Sequence, residues 1–380
     1  MIVERPGLER RVLASLDAGR IPVVLGGCGS GRSSLLLRVA GLVGADRAQY
    51  VDVAAAATTP ERCLAAIQAA SHLQPSGRQP LDRPASPKAA FATLMTFFDH
   101  TTSSTEAPAT FLLDEVLDIR TFENFPGLRH VQRDLIARLA ASPTRFVLAS
   151  RFTSRVHRLL RDAPARFEVI HTPPLSVDEV EALAGRLESG RRDLTAQAPL
   201  VAALSAGRAT YAHLLLEATA SMGFSADPVA AMAALSSPDG RLTARCRESY
   251  EFRLHRARGY GALKAILGIL AQDEPLNLTE ISHHLGRTPG STKDYLSWLE
   301  DVDLVVMRGK RYTYEDPVLR LYVRLYARPV PPTDADIVRE VRAYAQARIP
   351  QVPVHAAVSV AAGTDRPAEA GGTSGIIEID

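Results

Sequence analysis

Short apolar runs alternate with longer amphipathic segments over residues 1–172. Apolar runs of this length, bounded by polar residues, Gly or Pro, are typical of buried strands. Between them lie segments such as residues 4–20, where Leu8, Val12, Leu13 and Leu16 form one apolar stripe at helical spacing. The alternation predicts an α/β domain whose parallel sheet is covered by helices, an αβα sandwich. The predicted strands are residues 22–25, 49–53, 110–113, 145–149 and 166–170.

The pattern changes in the second half of the chain. Residues 176–255 have helical periodicity and no convincing strand. Three further helical segments then precede a strand, a basic tip and a second strand at 304–314, an order of elements that predicts a winged helix. We therefore predict domains at 1–172 (αβα sheet), 173–256 (helical lid) and 257–328 (winged helix), a C-terminal helix at 329–349 and a disordered tail at 350–380, rich in Pro, Ala, Gly, Thr and Ser.

Composition narrows the class of protein. The 380 residues suffice for two or three domains with cores of their own, and 46% hydrophobic with 23% charged residues is ordinary for a soluble protein. No stretch approaches the roughly 20 apolar residues of a membrane span, and the N-terminus lacks the apolar core of a signal peptide. Three separated cysteines argue against a disulfide scaffold, so we expect a cytoplasmic protein with no membrane partner.

A glycine-rich turn follows the first predicted strand and opens a helix. Gly26, Gly31 and Ser33 fit the phosphate-binding pattern G-x-x-x-x-G-K-[ST], with Arg32 at the lysine position. Glycines let backbone N–H groups point into a concave anion nest, and the helix N-terminus adds unpaired N–H groups. The rival dinucleotide pattern G-x-G-x-x-G fails, because its third glycine would fall at Arg32. The predicted ATP-binding residues are Gly26, Gly27, Cys28, Gly29, Ser30, Gly31, Arg32, Ser33 and Ser34.

Arg32 is the departure from the pattern. A planar guanidinium does not replace a compact ammonium neutrally at a phosphate. Only four of the 44 basic residues are lysines, so an arginine here also fits the general scarcity of lysine in this chain. We expect nucleotide binding to survive and hydrolysis to be slow.

An acidic pair ends the third predicted strand. Asp114 and Glu115 close the apolar run 110–113, about 80 residues after the glycine-rich turn. A carboxylate at this edge can hold a Mg²⁺ shell together with the hydroxyl of Ser33, and the next carboxylate can orient and deprotonate a water. We predict Ser33 and Asp114 as Mg²⁺ ligands and Glu115 as the catalytic base.

Several shorter motifs in order resemble P-loop ATPases of the AAA+ and STAND kinds. These are Ser150-Arg151 after a strand, a Leu-Ser-x-x-Glu cap at 175–179, Gly207 in a lid segment with Ala209 in place of proline, and an Asp-Pro-x-Leu-Arg segment at 316–320. The last is similar to the archaeal-type ATPase family, which joins a P-loop ATPase to a winged helix. The resemblance implies that Arg151 senses the γ-phosphate and that Arg208 reaches the phosphates from the lid.

The favoured function is thus a nucleotide-driven switch that hydrolyses ATP to ADP and phosphate. One alternative is a winged-helix regulator that contacts duplex DNA through Arg308, Lys310 and Arg311. The net charge of +2 is too small to indicate a nucleic-acid-binding protein by itself. Another is a degenerate scaffold without hydrolysis, to which Arg32 and Ala209 point. A protein partner and a homo-oligomer both remain open.

Overall fold

A computed structural model describes residues 3–75, 84–103, 108–187, 194–222, 227–255, 257 and 259–349. Residues Met1–Ile349 form one compact unit. The predicted tail at 350–380 lies outside the described residues. The strands are β1 (Ile21–Leu25), β2 (Ala48–Asp52), β3 (Gln74–Pro75), β4 (Thr101–Thr102), β5 (Thr110–Asp114), β6 (Arg145–Ser150), β7 (Phe167–His171), β8 (Leu276–Asn277), β9 (Val305–Arg308) and β10 (Arg311–Tyr314).

Helices make up most of the remaining described chain. They are α1 (Pro6–Asp17), α2 (Arg32–Val43), α3 (Val53–Ala56), α4 (Pro60–Ala69), α5 (Pro87–Asp99), α6 (Val131–Ala141), α7 (Thr153–Leu160), α8 (Val177–Leu187), α9 (Ala198–Ser205), α10 (Ala209–Ser221), α11 (Pro228–Leu235), α12 (Arg241–Leu254), α13 (Tyr260–Gln272), α14 (Leu278–Leu285), α15 (Pro289–Asp301), α16 (Pro317–Tyr326) and α17 (Asp334–Gln346). A 3-10 helix at Val116–Asn124 follows β5. None of these helices is long and apolar enough to cross a membrane.

Five parallel strands form the central sheet in the order β2-β5-β6-β1-β7. The strand with the acidic pair is therefore separated from β1 by β6, which ends in Ser150. Because the carboxyl ends of parallel strands meet at one edge, this order brings the ends of β1, β5 and β6 together. The predicted αβα parallel sheet is confirmed.

Apolar side chains cover both faces of this sheet. On one face, α1 and α2 pack through Val12, Leu36 and Val39 against Val24 and Val147. On the other, Phe111 and Phe146 meet Phe98 of α5, with ring centroids 4.7 and 5.8 Å from Phe98. Strands buried on both faces explain why β1, β5 and β6 read as continuous apolar runs rather than alternating ones.

Five helices, α8 to α12, follow the sheet domain, as the helical pattern of residues 176–255 predicts. The predicted capping box opens α8: Glu179 N donates to Ser176 Oγ at 3.2 Å, and Ser176 N donates to Glu179 Oε2 at 2.9 Å. Glu179 also accepts from buried Arg5, which precedes α1, at 2.9 Å. The entry helix and the helical segment are thus tied together.

Helices α13 to α15 and the hairpin β9–β10 occur in the predicted winged-helix order, with β8 as a third strand beside β10. Gly309 and Lys310 join the hairpin with φ angles of 55° and 66°, as a tight two-residue turn requires. Asp303, just before β9, accepts from Thr153 N at 2.6 Å and from Ser154 Oγ at 3.0 Å. This carboxylate therefore caps α7, in the sheet domain, from a distant part of the chain.

Asp316 links helix α16 to helix α10 of the helical segment. It caps α16 by accepting from Val318 N at 3.0 Å and Leu319 N at 3.3 Å, and it accepts from Tyr211 Oη of α10 at 2.9 Å. Arg208 Nε lies 3.5 Å from Oδ2, the oxygen that accepts from Tyr211. With 3% of its surface exposed, Asp316 is a buried charge whose partners come from separate elements.

Replacing Asp316 by Ala should therefore remove more than a helix cap. Removing one member of a buried, hydrogen-bonded charge pair typically costs about 3–5 kcal/mol, because the other member stays buried and unpaired. We expect Asp316→Ala to lower the free energy of unfolding by about 3 kcal/mol in urea denaturation. Asp227→Ala is the matched control, because Asp227 also caps a helix that starts with Pro but is exposed. That variant should lose only about 1 kcal/mol. Equal losses would show that Asp316 is no more than a cap.

Candidate nucleotide-binding site

The glycine-rich turn at residues 26–31 joins β1 to α2. Gly29 and Gly31 have φ angles of 77° and 90°, a region that strongly favours glycine. A Cβ at Gly26 would overlap Thr172 Oγ1, which follows β7, so close packing also demands glycine there. The Ser30 hydroxyl is buried and has no hydrogen-bond partner in the described structure. The turn therefore has a backbone that depends on its glycines, and it contains a buried hydroxyl that lacks a partner.

Arg32 folds back over this turn instead of pointing away from it. Its Nη1 donates to the carbonyl oxygens of Gly26 and Gly27, the second at 2.8 Å. Its Nη2 donates to Glu115 Oε1 at 2.6 Å, and the side chain is 7% exposed. The guanidinium thus links the turn after β1 to the acidic pair after β5.

Asp114 lies at the same edge of the sheet as the turn. Its Oδ2 accepts from Tyr50 Oη of β2 at 2.8 Å, and its Oδ1 accepts from Glu115 N at 3.0 Å. Burial raises the pKa of Tyr50, Asp114 adds to the rise, and a hydrogen bond with Ser33 opposes it. Because Tyr50 contacts both side chains, the two predicted Mg²⁺ ligands, Ser33 and Asp114, are neighbours.

Glu115 is held between two arginines in a strained backbone. Its φ of 52° is unusual for a residue with a side chain. Oε1 accepts from Arg32, and Oε2 lies 3.0 Å from Arg151 Nε and accepts from Arg151 N at 3.1 Å. Burial raises the pKa of Glu115, but the charges of Arg32 and Arg151 outweigh it, so the pKa is lowered overall. The carboxylate is therefore ionised and neutralised by its neighbours.

Arg151 faces three groups at the end of β6. Beside Glu115, its Nη2 lies 3.7 Å from Asp118 Oδ2, and its guanidinium stacks over the Phe252 ring of α12 at 4.6 Å. Burial lowers the pKa of Arg151, but Glu115 and Asp118 reverse the effect and raise it overall. A side chain of the helical segment, Phe252, therefore contacts Arg151, the residue predicted to sense the γ-phosphate.

Arg208 brings the helical segment onto the turn itself. Its Nη1 donates to Cys28 O at 2.7 Å and its Nη2 to Glu315 O at 3.1 Å. A Cβ at Gly27 would lie 2.6 Å from Arg208 Nη1. Next to it, Thr210 N donates to Gly29 O at 3.0 Å, so the N-terminus of α10 packs directly against the turn.

The structure brings nearly all predicted site residues together. The turn from Gly26 to Ser33, the acidic pair, Arg151 and Arg208 meet at one edge of the sheet, and Ser34 lies in the first turn of α2. The predicted DNA contacts, Arg308, Lys310 and Arg311, lie apart at the exposed hairpin tip. One of them, Arg311, donates to Pro275 O at 2.8 Å and lies 3.5 Å from Glu280.

Three residues of the site are not anticipated by the sequence motifs. Tyr50 links the Mg²⁺ ligands, Asp118 faces Arg151, and Phe252 stacks on Arg151. The second predicted strand gives no local signal for Tyr50, because Tyr50 lies opposite Leu112 and two residues before the end of β2. Nothing local marks Phe252, because α12 lies about 100 residues after Arg151.

No protein-family model and no curated protein sequence matches this chain. Solved structures do. The Walker-type ATPase PABY2304 of Pyrococcus abyssi superposes with a TM-score of 0.65 at 16% identity, covering 85% of this chain and 96% of that one. The ORC2 protein of Aeropyrum pernix, solved as ADPNP–ADP complexes, gives a TM-score of 0.51 at 15% identity, with 90% and 92% covered. These similarities show that the chain shares the fold of these two proteins.

The raised pKa of Asp118 makes the stability of the fold depend on pH. Burial raises it from 3.8 to about 6; Glu115 and Asp52 add to the rise, and Arg151 opposes it. The native state then holds a proton that the unfolded chain releases between about pH 4 and 6, so this group makes stability fall as pH rises through that window. Two pKa units correspond to at most about 3 kcal/mol.

We expect Asp118→Asn to remove this fall. The measurement is urea denaturation from pH 4 to 7, in which the variant should gain on the parent as pH rises. Asp134→Asn, at an exposed position of α6, controls for the loss of one carboxylate. A parent-minus-variant difference that does not change with pH would contradict the raised pKa.

Proposed function

We propose that this chain is an ATPase that works as a nucleotide-driven switch. The observation that carries the proposal is the position of Glu115. It lies between the arginine of the phosphate-binding turn and the arginine that ends β6, at distances of 2.6 and 3.0 Å. Guanidinium groups bind phosphate as well as carboxylate. An anion that binds Arg32 and Arg151 at this edge of the sheet would therefore compete with Glu115 for them.

The residues present fit ATP and Mg²⁺. Ser33 and Asp114 are neighbouring oxygen donors, and Mg²⁺ in such enzymes is held by one or two protein oxygens and the substrate phosphates. The Ser30 hydroxyl and Arg32 Nε are both buried without a hydrogen-bond partner among the described residues, so the turn keeps donors for an anion. Bound Mg²⁺ would supply charge neutralisation at the phosphates.

The resting arrangement explains why hydrolysis should be slow. Glu115 has a lowered pKa and two cationic partners, and both features weaken a general base. Arg32 must leave the carbonyls of Gly26 and Gly27 before it can serve a phosphate. We infer that phosphate oxygens replace Glu115 as partners of Arg32 and Arg151, which frees the carboxylate to orient water.

The same exchange provides the switch. Arg208 contacts the turn at Cys28 and the C-terminal segment at Glu315 and Asp316, so it senses the turn and holds the winged-helix segment. Phe252 contacts Arg151 from the helical segment. We propose that movement of either arginine alters how the later segments pack and exposes a surface for a protein partner or a second copy.

We do not extend the proposal to duplex DNA. At the hairpin tip, Arg308 and Lys310 make no salt bridge with another described residue, but Arg311 already has partners. The last turn of α15, the helix that would enter a groove, is engaged through Asp301 with Arg158 at 2.9 Å. Salt-dependent binding of a duplex by the full chain, lost in a variant without Arg308 and Lys310, would favour the regulator alternative.

The central test separates binding from turnover. Calorimetry should show Mg²⁺-dependent ATP binding, and Glu115→Gln should keep it while losing about 10²–10⁴-fold in turnover, the usual effect of removing a general base. Glu61→Gln, at a half-buried position of α4, is the control for one lost carboxylate and should behave as the parent. Absence of any heat at millimolar ATP would refute the ATPase proposal and favour the scaffold alternative.

A second test concerns Arg32. Arg32 contacts the carbonyls through one nitrogen and Glu115 through another, whereas lysine has a single nitrogen. Arg32→Lys should therefore release Glu115 and raise kcat with little change in ATP affinity. Arg32→Ala should weaken ATP binding clearly, because the phosphates lose a cation. Arg38→Lys, on the same helix, is the matched control.

A different result would contradict the prediction for each Arg32 variant. A lower kcat in Arg32→Lys would mean that the guanidinium itself serves the reaction. Unchanged ATP affinity in Arg32→Ala would mean that residue 32 does not reach the phosphates.

A further inference from the structure

A second cleft opens on the sheet domain, away from the glycine-rich turn. It has a volume of about 720 Å³ and lies between the 3-10 helix after β5, helices α6 and α7, and α15. This is within the range of 300–1,000 Å³ for sites that bind small molecules. Its lining includes three large apolar residues, Leu117, Ile136 and Leu159. None of the residues assigned above to ATP or Mg²⁺ lines it.

Four arginines line this cleft: Arg120, Arg133, Arg155 and Arg158. Two of them have carboxylate partners, Arg120 with Glu123 at 3.4 Å and Arg158 with Asp301 at 2.9 Å. Arg133 and Arg155 have no salt bridge with any residue in the described ranges. Asp162 is the one remaining acid in the lining, so the unpaired charge of the cleft is positive.

Of the two arginines without a salt bridge, Arg155 gives the stronger argument for a bound anion. It is half-buried, and its guanidinium stands over the Phe152 ring at 4.9 Å. Burial lowers its pKa, as do the neighbouring charges of Arg120 and Arg158, while Asp301 and Asp303 oppose them. A guanidinium remains charged under these conditions. A charge that is half-buried and crowded by like charges is stabilised when an anion pairs with it.

The cleft also holds the single tryptophan of the chain, Trp298, on α15. Indole rings stack with nucleobases, and guanidinium groups bind phosphates in a forked geometry. We propose that this cleft is a second ligand site, for a small molecule that carries both phosphates and an aromatic base, of the size of a nucleoside polyphosphate. Arg133 and Arg155 bind the phosphates, and Trp298 contacts the base.

A small ligand fits these observations better than a nucleic-acid strand. The unpaired cations are confined to one cleft with walls from two parts of the chain, α6 and α7 on one side and α15 on the other. A strand needs a groove with cations along several nucleotides. The site also joins the winged-helix segment to the sheet domain beside Arg158 and Asp301, so an occupant would bridge the two.

Trp298 makes the proposal directly measurable, because the intrinsic tryptophan fluorescence of the full chain arises at this cleft alone. The probes are ATP, inorganic tripolyphosphate and adenosine. We expect a saturable change with ATP, a weaker affinity for tripolyphosphate and no saturation with adenosine. Arg155→Gln should weaken the ATP affinity seen by fluorescence at least tenfold. Arg10→Gln, which removes an exposed arginine from α1, is the matched control and should titrate as the parent.

Two variants separate this site from the glycine-rich turn. Arg32→Ala should leave the Arg155-dependent part of the fluorescence titration unchanged, and Arg155→Gln should leave calorimetric binding of Mg²⁺-ATP at the turn intact. If ATP fails to bind at the turn while Arg155-dependent fluorescence persists, the proposed ATPase function fails and the second site stands. Equal titration of Arg155→Gln and the parent overturns the second site. Saturation by oligonucleotides but by neither ATP nor tripolyphosphate overturns it in favour of strand binding.

Discussion

The arrangement of this protein depends on one buried carboxylate and its two cations. Glu115 is 8% exposed, and burying an ion without partners costs several kcal/mol. Arg32 and Arg151 supply those partners from the ends of two other elements, so the turn after β1, the end of β5 and the end of β6 are fixed relative to one another. The strained φ of 52° at Glu115 persists because this pairing specifies where the carboxylate must lie.

The later segments are attached to this cluster by few, mostly buried polar contacts. Arg208 reaches the turn at Cys28, Asp316 holds Arg208 and Tyr211, and Asp303 caps α7 directly after Arg151. Polar contacts of this kind are directional, and losing one leaves a buried group unsatisfied. In the switch that we propose, a change in the partners of Arg32 or Arg151 moves the later segments from one packing to another.

Local patterns predicted the strands, the glycine-rich turn, the acidic pair and the capping box of Ser176 and Glu179, because each depends on residues near in sequence. They also placed Asp114 and Arg151 at one sheet edge, since parallel strands end together. They did not reveal Phe252 over Arg151 or Asp303 on α7, because those contacts depend on how distant segments dock. The domain boundaries and the roles of the site residues stay predictions.

The same distinction changes the interpretation of Arg32. From the sequence, an arginine in place of lysine reads as drift in a chain with few lysines. In the structure, its planar group reaches Gly26 O, Gly27 O and Glu115 Oε1 together, from donors that point in different directions. An ammonium has a single nitrogen and cannot span these acceptors. Arginine therefore holds the turn and the Glu115 carboxylate together in this structure. In the switch that we propose, the departure from the motif is part of the mechanism and not a defect in it.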